Sequence, residues 1–370
     1  MASKLDISTL DFDQVKANLK TFLGQQDEFR DYDFEGSGMS VLLDVLAYNT
    51  HYLGYNANML ANEMFLDSAD LRSSVVSKAK AVGYTPTSSV SSRAIIDVVV
   101  NSASGASLTM SAGTKFTTTV NEQSYAFVNK TDVTITPTDG VYKFSNLEIR
   151  EGSYLNYKYT ASTSDLEQRF IIPNDSVDTT SLTVKVQTSS SDSTTNTYSL
   201  ATGLTGLDPS SQVYFLQEVE NGRFEVYFGD GVLGKAIADG NIVILDYIHC
   251  NGSLPNGANT FTLSGSIGGF SNTTITSISN ATDGSNPESI ASIKYNAPRD
   301  YASQDRAVTA EDYKVLVKSL YANAQAVQVY GGEDAEVPSY GKVFISVKAK
   351  SGSNLTVATK NSIVQSLKQY

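Results

Sequence analysis

The stretch that follows Gly36-Ser37-Gly38 constrains this chain more than any other. Met39, Leu42, Leu43, Leu46, Leu53, Met59 and Leu60 recur at helical spacing, and Tyr48, Tyr52 and Tyr55 widen the stripe. Gly54 sits inside it and weakens or bends the helix. A helix that is apolar around much of its girth must be covered on more than one side. The cover comes either from the rest of this chain or from another chain, and the residues alone leave both open. If another chain supplies it, the residues that meet the partner are Phe12, Val15, Leu19, Leu42, Leu43, Leu46, Leu53 and Met59.

Two further helices flank this one. Phe12, Val15, Leu19, Phe22 and Leu23 predict the first, with Gly24 at its stop. Ser68 is expected to cap a third that runs to Val82, with Leu71, Val75, Val76 and Ala79 on one face and Gly83 ending it. Three helices before Pro86 make a helical head.

Beyond Pro86 the long helical stripes vanish. Ser and Thr, about a fifth of the chain, concentrate between Thr85 and Thr282, together with the strand-formers Val, Ile, Tyr and Phe. Ile95–Val100, Lys115–Val120, Tyr125–Lys130, Asp132–Thr136, Tyr154–Tyr159, Arg169–Ile172, Leu182–Gln187 and Val213–Glu218 read as strands. Turns are expected at Asn121-Glu122 and from Asn129 to Asp132. Short strands at this spacing predict sandwich-like modules. The polar run Thr188 to Thr197 reads as a flexible excursion.

Phe224, Val226 and Phe228 alternate with Arg223, Glu225 and Tyr227, a half-buried strand, and Ile242–Ile248 is apolar on both faces, which suits a central one. Between them lie Gly229, Asp230, Gly231 and Gly234. A phosphate-cradling loop would need a helix N-terminus behind it, and a calcium loop several alternating carboxylates. Lys235-Ala236 stays strand-like and Asp230 stands alone, so a structural turn is the expectation here.

The tail begins with a helix start at Arg306 to Tyr313. Thr309 is its N-cap, and Asp312 completes a weaker form of the capping box. Strands Ala326–Tyr330 and Lys342–Lys350 follow, then a last helix from about Thr356 carrying Ile363, Val364 and Leu367. This order suggests helices on one face of a small sheet. The chain stops at Tyr370 without a cap, and a two-stranded sheet is small, so the tail is read as part of a longer, truncated protein. The fold class is therefore multidomain α+β.

No chemistry stands out along the chain. His249 and Cys250 are adjacent on a strand and point to opposite faces. One Cys and two His, His51 and His249, exclude a disulfide framework and a multi-Cys or multi-His metal centre. No Gly-x-Ser-x-Gly elbow occurs. No catalytic, cofactor-binding or metal site is expected. With 27 basic against 39 acidic residues the net charge is −12, which disfavours nucleic acid as a partner. No run reaches the roughly 18 apolar residues needed to span a membrane, and no membrane partner is expected.

Three collinear stretches resemble a known family. Arg223 to Gly234, then Gly240, Tyr247 and Asn251-Gly252, is similar to the signature of the baseplate J-like proteins of contractile phage tails. Arg306-Ala307-Val308-Thr309 with Glu311-Asp312-Tyr313 resembles a second signature of that family. The head, with Gly36-Ser37-Gly38-Met39, Leu46-Ala47-Tyr48-Asn49, Asn58-Met59, Asn62-Glu63 and Phe65 to Ala69, resembles the wedge proteins of its T4-like branch. The resemblance implies a non-catalytic structural subunit of a baseplate wedge in the virion. Two copies would join a second, long helical wedge protein through their N-terminal helices and help close a six-fold inner ring around the hub. It also implies four parts: a helical segment for the bundle over 1–86, a β-rich domain over 87–205, a J-like core over 206–284 and an α+β domain over 285–370. A related contractile injection machine is the neighbouring alternative. A secreted β-rich adhesin or carbohydrate-active protein is the alternative of a different class.

Overall fold

The computed structural model describes residues 11–26, 36–101, 103–162, 164–165, 168–201, 207–303, 306–321, 323–349, 355 and 357–368. The chain divides into two compact units, Met1–Ala81 and Val82–Tyr370.

The first unit holds α1 (Phe12–Leu23), α2 (Gly38–Glu63) and α3 (Arg72–Ala81). Asp11 caps α1 by accepting the Phe12 N–H at 2.7 Å, and the Ser37 hydroxyl caps α2 by accepting the Ser40 N–H at 3.1 Å. Gly24 keeps right-handed helical angles, φ −62°, so it is not the left-handed stop its position suggested. α1 lies on α2, where Lys16 and Asp44 pair at 2.5 Å. α3 starts later than expected. The Ser68 hydroxyl does not cap it but donates to the Asn62 carbonyl at 2.6 Å, closing the turn after α2. The Glu63 carboxylate takes the capping role, as described below.

In the second unit, β1 (Arg93–Val100), β2 (Leu108–Met110), β3 (Lys115–Val120), β4 (Gln123–Val128), β5 (Val133–Ile135) and β6 (Tyr142–Glu151) come first. Asn121 and Glu122 both have positive φ, 48° and 66°, so the β3–β4 hairpin turns as its polar pair predicted. A second set follows: β7 (Ser153–Thr160), β8 (Phe170–Ile171), β9 (Val177–Gln187), β10 (Thr195–Leu200), β11 (Val213–Glu218), β12 (Phe224–Phe228) and β13 (Ile242–His249). The chain then returns through β14 (Thr262–Ser264) and β15 (Thr273–Thr282).

One sheet has the order β14-β3-β4-β6-β1-β15, the other β7-β13-β9-β10-β11-β12-β8. The second sheet is thus an insertion between β6 and β14 of the first. The boundary expected at 205/206 lies outside the described residues. On either side of it β10 and β11 are parallel neighbours in one sheet. The sandwich-like modules take the form of two curled sheets, each wrapping its own core. Ile96, Phe116, Phe127, Phe144 and Ile149 fill the first, and Phe170, Val184, Val226, Leu245 and Tyr247 the second. The Tyr159 hydroxyl donates to the Ile171 carbonyl at 2.5 Å and ties the two edges of the inserted sheet together.

The run from Thr188 is not a loose excursion. The Thr188 N–H donates to the Thr194 carbonyl at 3.0 Å and Asp192 accepts the Thr194 N–H at 3.0 Å, which makes a tight connection between β9 and β10.

After β15 come α4 (Ile290–Ser303), α5 (Ala310–Leu320), β16 (Ala324–Gly331), β17 (Val343–Ala349) and α6 (Val357–Leu367). β16 and β17 pair antiparallel, with Val327 opposite Val347. Val317 of α5 and Ile363 of α6 share a core with Val327, Ile345 and Val347, so both helices cover one sheet face. Lys350, Thr356 and Tyr370 lie outside the described residues.

Candidate assembly interface

α2 is 26 residues long, about 39 Å at 1.5 Å per residue. Its only acidic residues are Asp44 and Glu63, and it has no Lys or Arg. Its buried face is a narrow seam of Ser40, Leu43 and Ala47. Small residues there let another backbone approach closely.

The large side chains point elsewhere. At 100° per residue they fall into two stripes. Val41, Val45, Tyr48, Tyr52, Tyr55 and Met59 make the first, and all six are exposed. Tyr48 and Tyr52 stack within it, ring centroids 6.3 Å apart. Leu42, Leu46, Leu53 and Leu60 make the second, also exposed, from 49% at Leu46 to 68% at Leu60. Leu46, Leu53 and Leu60 repeat every seven residues, the spacing of a coiled-coil seam, with Asn49 and Asn56 in the alternate positions. Covering a large apolar side chain is worth about 1.5–3 kcal/mol, so the two stripes together form a large apolar face open to solvent.

The residues expected at an interface fall into three groups. Val15 and Leu43 are buried. Phe12 and Leu19 are half-buried on α1. Leu42, Leu46, Leu53 and Met59 are exposed on α2. Val41, Val45, Leu60 and the tyrosines join them on the exposed stripes. The sevenfold spacing of the leucines was the signal for Leu60.

Glu63, at the end of α2, accepts the Asp70 N–H at 2.8 Å and the Leu71 N–H at 3.3 Å. Burial pushes its carboxyl up, but hydrogen bonds from Ser74, Asp70 and Leu71 outweigh this and hold it below the usual carboxylate range. It fixes the start of α3, a role that sequence spacing assigned to Ser68.

The Gly229-Asp230-Gly231 loop is a closed turn. Asp230 accepts the Val232 and Leu233 N–H groups at 2.9 and 3.0 Å, which lowers its pKa. Gly231 and Gly234 have φ of 86° and 90°, and a Cβ at Gly229 would meet the Leu233 carbonyl at 2.3 Å. At α5 the Thr309 hydroxyl accepts the Asp312 N–H, and Asp312 accepts the Thr309 N–H at 2.8 Å. His249 ends β13, and Cys250 beside it is buried.

A cavity of about 570 Å³ lies beside α4 and α5. Its buried carboxylate, Glu288, is held by protein donors: the Tyr84 hydroxyl at 2.8 Å, the Thr87 N–H at 3.2 Å, the Ser292 hydroxyl at 2.6 Å and the Asn296 amide at 2.8 Å. Burial and the facing Glu288 charge push the Tyr84 hydroxyl far up. Among the described residues no three His, Cys, Asp or Glu side chains gather as metal ligands, and no helix is long and apolar enough to cross a membrane.

Two stretches match family models. Residues 11–84 match "Baseplate wedge protein gp6-like, helical domain", and residues 309–370 match "Baseplate structural protein gp6, C-terminal domain I". The class these domains define is the structural protein of a contractile phage tail's baseplate wedge, located in the tail baseplate of the virion. Over the matched stretches the chain is similar to gp6-like baseplate wedge proteins. It is also 30% identical to the baseplate wedge protein gp6 of Enterobacteria phage T4 over 389 residues, which cover 97% of this chain and 57% of the relative. The chain thus spans a little over half the length of that relative. A chain in the cryo-EM structure of the anti-feeding prophage baseplate shares 10% identity, with a TM-score of 0.35, over 96% of this chain and 68% of that one.

Proposed function

We propose that this chain is a non-catalytic wedge subunit of the baseplate J-like family whose long α2 helix is built into a bundle with partner helices. The observation that carries this reading is the pair of exposed apolar stripes on α2. One stripe is aliphatic at sevenfold spacing, the other aromatic and β-branched, and they lie on different sides of the helix. Two separate stripes suit two neighbours. A second copy of this chain and a long helical wedge protein are the neighbours that fit, and neither nucleic acid nor membrane is needed. Residues 1–86 form the bundle segment, and the β-rich and α+β parts beyond it extend outward toward a six-fold inner ring around the hub.

Size-exclusion chromatography with light scattering tests this on the full chain, alone and co-expressed with candidate wedge proteins. The expected result is a defined complex in which the α2 amides become protected from hydrogen exchange. A monodisperse monomer that never associates, with α2 protected on its own, rejects the reading.

A further inference from the structure

Residues 84–92, Tyr84 to Ser92, look from composition like a Ser/Thr linker. In the fold this segment is a buried strap: Ser88, Ser89, Ser91 and Ser92 are all 4% exposed or less. The hydroxyls of Ser88, Ser91 and Ser92 each find a partner. The Ser88 hydroxyl lies 2.8 Å from that of Thr179 and accepts the Thr179 N–H at 3.0 Å. Ser92 donates to the Asn256 side chain at 2.7 Å, and its carbonyl accepts the Glu151 N–H at 2.8 Å.

The centre of the strap is a single carboxylate. Asp178, fully buried on β9 of the inserted sheet, accepts the Ser91 N–H at 3.1 Å and the Ser91 hydroxyl at 2.5 Å. It also accepts the Thr180 N–H and hydroxyl at 3.0 and 2.6 Å. Arg150, on β6 of the first sheet, approaches it at 3.5 Å. One charge therefore receives donors from the strap, from its own sheet and from the other sheet.

Two more contacts close the same junction. Glu151 at the end of β6 is buried and accepts the backbone and side-chain N–H groups of Asn251, just past β13, at 2.9 and 2.6 Å. Val128, Ile248 and Cys250 pack together beside it, one from the first sheet and two from the inserted sheet and its exit. A pivot between the sheets would strip donors from two buried carboxylates, which costs far more than opening a solvated contact.

We infer that the two curled sheets are one rigid strut, locked by the Asp178 carboxylate on the 84–92 strap, so that shape changes in an assembly occur outside it. The inference rests on the junction alone and stands apart from the helical-bundle reading.

Hydrogen exchange by mass spectrometry on the full chain, across a denaturant series, tests it. In the unmodified protein the amides of β1 and β13 should share one opening transition. In Asp178→Asn, one sheet should exchange at least about tenfold faster than the other, the effect of losing a charge-assisted contact. Ser91→Ala removes one donor, leaves the charge in place and should separate the sheets less. It decides the matter if Asp178→Asn does not fold. Separate opening of β1 and β13 in the unmodified protein overturns the inference, as does common opening in every folded variant.

Discussion

The Glu63 carboxylate at the end of α2 accepts the Asp70 N–H at 2.8 Å, seven residues further on. The helix that carries the two exposed apolar stripes is thus tied to the start of α3. Glu63→Ala is expected to fray the first turn of α3 at a cost of ~0.5–1 kcal/mol, the low part of the capping range because the carboxylate is part-exposed. Amide exchange at Ser73 to Val75 measures this. The folded pKa lies below the unfolded value, so the contribution is complete above the ordinary carboxylate pKa of about 4.3 and fades as pH falls through the folded value. Faster exchange of α3 amides at low pH should be absent in Glu63→Gln.

Leu46→Asp and Leu53→Asp place charges on the aliphatic stripe of α2. Both side chains are exposed, 49% and 59%, so the isolated chain should keep its melting temperature within about 2 °C. Complex formation with wedge partners, followed by light scattering, should be lost. Unchanged assembly in both variants would show that this stripe faces no partner.

Gly152 joins the two curled sheets as the single residue between β6 and β7. Its φ is 123°, and a Cβ there would stand 2.2 Å from the His249 carbonyl oxygen. Gly152→Ala should therefore destabilise the second unit by about 2–5 kcal/mol, from backbone strain and overpacking together. Denaturant unfolding checks it.

Gly231→Val is a milder case. A Cβ at Gly231 meets only the Ala236 Cβ, at 3.7 Å, so space is available. The φ of 86° is what a β-branched residue resists, at a cost of about 1–3 kcal/mol. Gly231→Asn, which tolerates that region better, should recover part of the loss in thermal unfolding.

Cys250 is buried, and burial pushes its thiol up to about 12. The native protein should be inert to a disulfide reagent at pH 8 and react with one equivalent in urea. Because the folded pKa is raised, the buried neutral thiol contributes stability below the unfolded pKa of about 8.5, and this is lost as pH rises toward the folded value. Cys250→Ser should flatten that alkaline limb.

Sequence pattern revealed what depends on neighbours along the chain. The Thr309–Asp312 box, the Asn121-Glu122 turn and strands such as Lys115–Val120 and Val213–Glu218 carry their signals locally. α4 was missed because Pro298 lies inside it and Ile293 is the one large aliphatic side chain on its buried face. β15 was hidden by its Thr and Ser side chains, and the buried strap by the same chemistry. Serine is read as solvent-loving. Here it is small enough to pass between two cores and polar enough to hold Asp178. The apolar stripes of α2 were plain in the sequence, but their division into an aliphatic and an aromatic side needed the placement of the buried Ser40–Leu43–Ala47 seam.

The chain enters the inserted sheet at Gly152 and leaves it at Cys250, and Glu151 grips Asn251 across that neck. Doorway and exit are neighbours, so besides the start of β9, where Asp178 meets Arg150 and Ser91, the host sheet touches the insertion chiefly at two adjoining strand ends. The far end of such a plug-in can lengthen or shrink during descent while the junction and the frame around it stay put. Among kindred chains, the greatest divergence in size and surface should therefore fall between these two gateposts.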